Sequence, residues 1–130
     1  MPSANLAPLT RFAEVDWSMV PNRPGVYIIY DGDEVIYVGM AGRNGGGSLQ
    51  KRLKDHASGQ IVNMFAQYLF LDRVQFVPKE RITHPREAKA ACHAYIHEHC
   101  GFRYLEADDG SQARALELQL KQELTPTLNP

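Results

Sequence analysis

The strongest constraint on the fold is a pair of short apolar runs separated by a turn. Residues 25–30 (GVYIIY) and 35–39 (VIYVG) are rich in β-branched and aromatic side chains, and Asp-Gly-Asp-Glu lies between them. Such runs around a turn rich in Asp and Gly predict a β-hairpin. Gly25 and Gly39 bracket the pair, at points where a second backbone or a ligand can approach closely. The chain is therefore expected to fold around two antiparallel strands.

The register of this hairpin decides whether its two tyrosines face the same side of the sheet. A loop of two or four residues would place Tyr27 opposite Val38 and put Tyr27 and Tyr37 on opposite faces. A three-residue loop, 31–33, would pair Tyr27 directly with Tyr37, and such loops with a glycine are common. If both tyrosines belong to one site, the three-residue loop is the prediction.

Helical patterns follow the hairpin. Most begin at a capping residue or a proline and end before a glycine or proline. The predicted helices lie over residues 48–58, 61–71, 85–100 and 111–125, with Ser48 and Ser111 as N-caps.

Alternating segments complete the predicted sheet. Residues 73–77 alternate as a third strand, and residues 102–106 have the weaker features of a fourth. Residues 1–20 are expected to form a lead-in segment that covers one edge. The elements together indicate an α/β fold of the α+β kind, a small antiparallel three-stranded sheet flanked by helices, in one domain over residues 1–130.

Composition narrows the class of protein. A chain of 130 residues fits one domain. No stretch approaches the roughly 18 apolar residues of a membrane span, and the N-terminus has no secretory signal pattern. Two cysteines are too few for a disulfide framework. We therefore expect a cytoplasmic protein with reduced thiols.

The net charge of −1 excludes a molecule that is basic over its whole surface. Contact with a polyanion must then come from a local patch. Arg43, Lys51, Arg52 and Lys54 form the candidate patch, with no acidic residue among them before Asp55. The alternative interpretation is an ordinary solvated helix face.

Two residues of the helix over 48–58 are candidates for a site. At 100° per residue, Leu49, Leu53 and Ala57 form the apolar stripe of this helix. Arg52 and His56 lie one turn apart at the border of that stripe. They are expected at the seam between helix and sheet, where a site could form, although an arginine at a seam can equally be a packing residue.

A carboxylate lies inside the apolar stripe of the last helix. Glu117 is four residues after Ala113 and three before Leu120, both of which belong to that stripe. A carboxylate directed at the core must have a partner, because an unpaired buried charge costs several kcal/mol. A salt bridge with Lys121 or Arg52 and a role as metal ligand are both open.

These residues, taken in order, resemble the GIY-YIG nuclease family. The matching positions are Gly25-Val26-Tyr27, Tyr37-Val38-Gly39, Arg52, His56, Glu117 and the Asn129 of a closing Pro-Thr-Leu-Asn. Each match is weak alone, but five motifs, with Arg52 and His56 counted as one helix motif, are specific when they occur in the right order on the predicted elements. The chain departs from the family pattern in a longer glycine loop at 42–47 and in extra sequence at about 79–108.

The resemblance implies cleavage of DNA phosphodiesters to 5′-phosphate and 3′-hydroxyl ends with a divalent metal, Mg²⁺ or Mn²⁺. Glu117 would hold the metal, and Arg52 would brace the scissile phosphate with its planar fork. Tyr27 would be the general base or orient the water, with Tyr37 supporting it, or His56 would take the base role. Asn129 would tie the C-terminus to the site. DNA is the expected partner, with Arg43, Lys51 and Lys54 binding it.

Other functions remain open from the sequence. The chain could be a catalytically weak or inactive nucleic-acid-binding or interaction module that retains the fold, and a targeting protein partner is conceivable for either function. The segment from Cys92 to Cys100 contains His93 and His97 at a spacing of four, which zinc sites often use. It could hold a metal, or it could be a helix of half-exposed histidines.

Overall fold

The computed structural model describes residues 5–42, 47–59, 65, 69, 73 and 85–129, with the backbone alone for residues 85–88. The strands are β1 (Thr10–Arg11), β2 (Gly25–Asp31), β3 (Glu34–Ala41) and β4 (Cys100–Glu106). The α-helices are α1 (Leu49–Ala57), α2 (Pro85–His99) and α3 (Gly110–Leu124), and two 3₁₀ turns follow β1. None of the helices within these residues has the length and apolar character needed to cross a bilayer.

The predicted fold class is confirmed, with one strand more than expected. All neighbouring strands are antiparallel in the order β1-β4-β2-β3, so β2 lies at the centre. The additional strand, β1, comes from the lead-in segment and pairs with the edge of β4. The predicted strand over 73–77 lies outside the described residues except for Arg73, which is in a turn. The predicted helix over 61–71 lies outside them too, except for helical Phe65 and Leu69.

The hairpin has a different register from the predicted one. Its turn has two residues, 32–33, so the expected three-residue loop and the direct Tyr27–Tyr37 pair are wrong. A β-bulge beside Ile29 shifts the register by one residue, and beyond it Ile29 pairs with Tyr37 and Tyr27 with Gly39. Because one inserted residue exchanges the two faces of a strand, the bulge brings both tyrosines to the same side.

The sheet is covered on both faces. On the face of the two tyrosines, a cluster that includes Leu53, Phe65, Ile96 and Phe102 is fully or almost fully buried. On the other face, Leu120 of α3 packs against Val26, Ile28 and Val38 of the hairpin. Burial of such side chains contributes about 1.5–3 kcal/mol each.

The chain after α3 lies along the free edge of β3. The Thr127 and Leu128 amides donate to the carbonyls of Val35 and Ile36, at 3.3 and 2.7 Å. The Asn129 side chain then pairs with the backbone of Val38. These bonds satisfy backbone groups at the edge of β3 and bring Asn129 next to Tyr37, the second tyrosine of the hairpin.

The helix caps agree with the sequence in one case and differ in another. Ser48 caps α1 as predicted, its hydroxyl accepting from the Lys51 amide. The predicted cap Ser111 is wrong, because the Asp109 carboxylate accepts from the Gln112 amide at 2.8 Å. The Gln112 side chain accepts in turn from the Asp108 amide, which completes a reciprocal cap.

Replacement of the α3 cap tests this assignment. Asp109→Ala is expected to lower the free energy of unfolding by about 0.5–2 kcal/mol, because an amide of the first turn loses its acceptor. Ser111→Ala, the matched control two residues later, is expected to change it by less than about 0.5 kcal/mol. Urea unfolding followed by circular dichroism measures both. A larger loss for the Ser111 variant would contradict the assignment.

Candidate active site

A cavity of about 530 Å³ opens beside the edge strand β3, where α1 and α3 approach from opposite faces of the sheet. The hairpin strands, both helices and the C-terminal segment all contribute to its wall. Of the predicted site residues, those that line it are Tyr27, Tyr37, Lys51, Arg52, Glu117 and Asn129. The fold therefore collects side chains from positions more than 100 residues apart.

The wall of the cavity is positively charged although the chain is not. Lys51, Arg52, Arg114 and Lys121 line it, together with the carboxylates Asp55 and Glu117. Among the residues that the structure describes, four cations against two carboxylates give the wall a formal charge of +2, whereas the whole chain carries −1. A concave surface of this sign attracts anionic ligands such as phosphates.

Tyr27 projects from β2 over Gly39, its partner on β3. A Cβ on residue 39 would overlap the tyrosine hydroxyl and would lie 2.5 Å from its Cζ, so only glycine fits beneath the ring. The hydroxyl oxygen lies 2.5 Å from Nε2 of His56 and is hydrogen-bonded by Arg52. One oxygen thus contacts both residues that the helix α1 presents at this seam.

The pKa of Tyr27 is raised well above the ordinary value for tyrosine. Burial is the main cause and the nearby Tyr37 adds to it, while the Arg52 guanidinium acts in the opposite direction. Burial disfavours the charged phenolate because the protein solvates it less well than water does. Tyr27 is therefore a neutral phenol at neutral pH.

His56 lies behind Tyr27 and is fully buried. Its ring meets Tyr37 and Phe65 edge-on, with centroids 5.7 and 5.1 Å apart. The predicted seam position therefore becomes a core position for His56, whereas Arg52, one turn earlier, is partly exposed and lines the cavity. The aromatic packing fixes the imidazole so that Nε2 faces the tyrosine hydroxyl.

Glu117 is buried to 6% exposure and has two cationic partners on its own helix. Arg114 Nη1 lies 2.5 Å from Oε1, and Lys121 Nζ lies 3.8 Å from Oε2. The Lys121 partner was predicted from the sequence, but the closer one, Arg114, was not. The signal was present, because residues three apart on a helix are neighbours as surely as residues four apart.

Asn129 holds the backbone between Tyr37 and Gly39. Its Oδ1 accepts from the Val38 amide at 2.7 Å, and its Nδ2 donates to the Val38 carbonyl at 3.0 Å. The side chain thus acts as one more strand residue on the edge of β3. This pairing fixes the strand that carries one tyrosine and supports the other.

The residues predicted to bind DNA occupy different places. Lys51 lines the cavity and forms a salt bridge with Asp55 at 3.2 Å. Lys54 instead reaches the Trp17 ring, 6.0 Å from its centroid, and Arg43 lies outside the described residues. Only Lys51 of this set is thus described as part of the cavity wall.

The Cys/His segment extends from α2 into β4, away from the cavity lining. Burial raises the pKa of the Cys92 and Cys100 thiols to about 11 and about 12. His93 Nδ1 lies 2.7 Å from the Ala57 carbonyl, and its ring stacks on exposed His97. Within the part of the chain that the structure describes, no group of three or more His, Cys, Asp or Glu side chains is placed to hold a metal ion.

Comparison with known proteins identifies the protein family. The model of the GIY-YIG catalytic domain matches residues 8–130. The chain therefore belongs to the GIY-YIG family, as its motifs indicate. No curated protein matches it.

The solved structures that the chain matches include forms of one domain of UvrC from Thermotoga maritima. The crystal structure of its GIY-YIG N-terminal endonuclease domain, bound to its catalytic divalent cation magnesium, is 19% identical and has a TM-score of 0.47; 88% of this chain and 91% of that one are covered. A point mutant of that domain, also with its divalent cation, has 18% identity and a TM-score of 0.47 over 88% and 91%.

Gly39→Ala tests the contact between Tyr27 and the strand beneath it. Because the new methyl group overlaps the phenol, we expect a loss of about 1–3 kcal/mol in the free energy of unfolding. Tyr27→Leu removes the atoms that the new methyl group would overlap. The loss in free energy of unfolding of the double variant should therefore be smaller, by about 1 kcal/mol, than the sum of the losses of the two single variants. Urea unfolding of all four proteins measures this cycle. Simple additivity would contradict the contact.

Alkaline pH tests the state of Tyr27. Tyr27 has a higher pKa in the folded state than in the unfolded state, where it is about 10. Its contribution to the free energy of unfolding is therefore complete below pH 10 and is lost progressively as the pH rises above that value. The loss approaches about 1.4 kcal/mol for each pH unit above 10. Urea unfolding at pH 9 and pH 11 should therefore show a steeper decline for the native protein than for Tyr27→Phe. Equal declines would mean that Tyr27 ionises normally.

Proposed function

We propose that this protein is an endonuclease that hydrolyses DNA phosphodiester bonds with Mg²⁺ or Mn²⁺, leaving 5′-phosphate and 3′-hydroxyl ends. The observation that carries the proposal is the convergence of Tyr27, Arg52 and Glu117 on one positively lined cavity. Membership of the GIY-YIG family supports the reaction class. In this proposal Tyr27, Tyr37, Arg52, His56, Glu117 and Asn129 form the active site.

The donor set of the cavity fits a hard divalent cation. The carboxylates of Glu117 and Asp55 lie in its described wall, and Mg²⁺ characteristically takes one or two carboxylates and keeps several waters. In the proposal Glu117 holds the cation. A bound cation would supply charge stabilisation at the phosphate and at the departing oxygen.

Arg52 is proposed to hold the scissile phosphate. It reaches into the cavity from α1 and already hydrogen-bonds the Tyr27 oxygen, so a phosphate bound by its remaining donors would lie next to that phenol. A planar guanidinium can contact two phosphate oxygens at once, which an ammonium cannot. This places the reacting phosphorus beside the group that handles the proton.

Tyr27 and His56 are proposed to move the proton of the attacking water. As the water oxygen bonds to phosphorus, its proton passes to the Tyr27 oxygen and the phenol proton passes to Nε2 of His56. The P–O3′ bond breaks, and the 3′ oxygen takes a proton from solvent. Such a relay avoids a phenolate in a site that disfavours it, and Tyr27 rather than His56 meets the water because only Tyr27 lines the cavity.

A binding module without catalysis is the second candidate function. The observation in its favour is that both oxygens of Glu117 have cationic partners, which a purely structural carboxylate would also show. In that case the positive cavity would bind nucleic acid, alone or with a targeting partner protein, and Glu117 would serve only the helix.

Nicking of supercoiled plasmid separates the two functions. With Mg²⁺ or Mn²⁺ the native protein should nick the plasmid, and Glu117→Gln and Arg52→Lys should each lower the rate about 100-fold or more. The first change removes the carboxylate proposed to hold the cation, and the second removes the planar fork that contacts two phosphate oxygens. Chelator should abolish the reaction. Glu98→Gln removes an exposed carboxylate elsewhere, with 74% of the side chain accessible, and should cleave as the native protein does. No cleavage of plasmid, branched or single-stranded DNA would favour the binding module.

A further inference from the structure

The carboxylate proposed to hold the metal is already engaged by basic side chains. Arg114 contacts Oε1 and Lys121 lies 3.8 Å from Oε2, so each oxygen of Glu117 has a cationic partner. The two basic side chains are 50% and 31% exposed, whereas that of Glu117 is only 7% exposed. Both basic side chains line the same cavity as Glu117 and are the more exposed members of their pairs.

A divalent cation would enter an unfavourable field here. Bound at Glu117, it would lie close to both of these side chains, and Arg52 also lines the same cavity. With the cation bound, the described part of the wall would hold four basic side chains and the two positive charges of the cation against two carboxylates. Repulsion between like charges a few ångströms apart in a partly desolvated site is large compared with thermal energy.

A nucleic acid backbone would relieve both the pairing of Glu117 with its basic neighbours and the repulsion of an incoming cation. Its phosphates offer Arg114 and Lys121 new partners, and an arginine fork pairs with phosphate as well as with carboxylate. The exposed ends of both side chains allow them to turn toward a ligand in the cavity. Each phosphate also brings a negative charge that offsets the incoming cation.

We propose that Arg114 and Lys121 make cation binding at Glu117 conditional on DNA. In the free protein they occupy the carboxylate, and metal affinity is low. When phosphates enter the cavity, the two basic side chains transfer to them and Glu117 becomes available. Thermodynamic reciprocity then requires the cation to tighten DNA binding by the same factor. This inference rests on the proposed metal-dependent nuclease function, and Arg114 and Lys121 are positioning residues within it.

Mn²⁺ binding to the DNA-free protein tests the proposal without any cleavage assay. Calorimetry and the spin resonance of free Mn²⁺ would compare the native protein with Arg114→Gln, Lys121→Gln and the double variant. The double variant is expected to bind Mn²⁺ about tenfold or more tighter, because two repelling charges are gone. Lys89→Gln removes an exposed cation of α2 outside the cavity lining and should leave the affinity unchanged.

A phosphorothioate duplex, which resists cleavage, supplies the second half of the test. Its affinity with and without Mn²⁺ should differ about tenfold or more for the native protein and much less for the double variant. Arg114→Lys keeps the charge and should retain the native behaviour in large part. Thermal melting checks that each variant is folded; if the double variant does not fold, Lys121→Gln, which leaves the Arg114 pair in place, decides the question by the same comparison.

The outcomes separate this inference from the function on which it rests. Equal Mn²⁺ affinity in the native and variant proteins, or weaker binding in the variants, would overturn the conditional site and leave a metal-dependent nuclease intact. No Mn²⁺ binding that depends on Glu117 in any variant, with or without the duplex, would overturn both. A Glu117→Gln protein provides that baseline.

Discussion

The contact between Tyr27 and Gly39 is the constraint on which the rest of the site depends. The phenol lies over a residue that has no side chain, and in this position its hydroxyl meets both Arg52 and His56. The pairing exists because a β-bulge shifts the hairpin by one residue. Bulges are frequent next to active sites because they redirect side chains. Without this one, Tyr27 and Tyr37 would face opposite sides of the sheet.

The edge position of β3 explains how distant segments come together. A central strand has neighbours on both sides, but an edge strand leaves room for helices from both faces to approach each other around it. Here α1 brings Arg52 and α3 brings Glu117, while the Asn129 side chain satisfies the exposed backbone of Val38. The same pairing protects an edge that could otherwise recruit another chain.

The sequence predicts the elements better than the contacts between them. The hairpin, Ser48 as a cap and the buried position of Glu117 follow from local pattern, since periodicity and capping are local properties. The bulge cannot be predicted from local pattern, because packing between the sheet and α1 offsets its energetic cost. Arg114 was missed for a different reason: several cations could reach Glu117, and only the rotamers of the folded helix decide which of them come close. The α3 cap likewise depends on which of Asp109 and Ser111 the preceding turn places in extended conformation.

The contrast between local and total charge limits what the cavity alone can do. Affinity for nucleic acid grows with the number of phosphates neutralised, and each contact contributes to the salt dependence of binding. The described wall offers four basic side chains, two of which are paired with Glu117 and one with Asp55. Arg52 alone has no carboxylate partner among these pairs. A site built in this way is suited to holding one phosphate accurately rather than to gripping a long duplex.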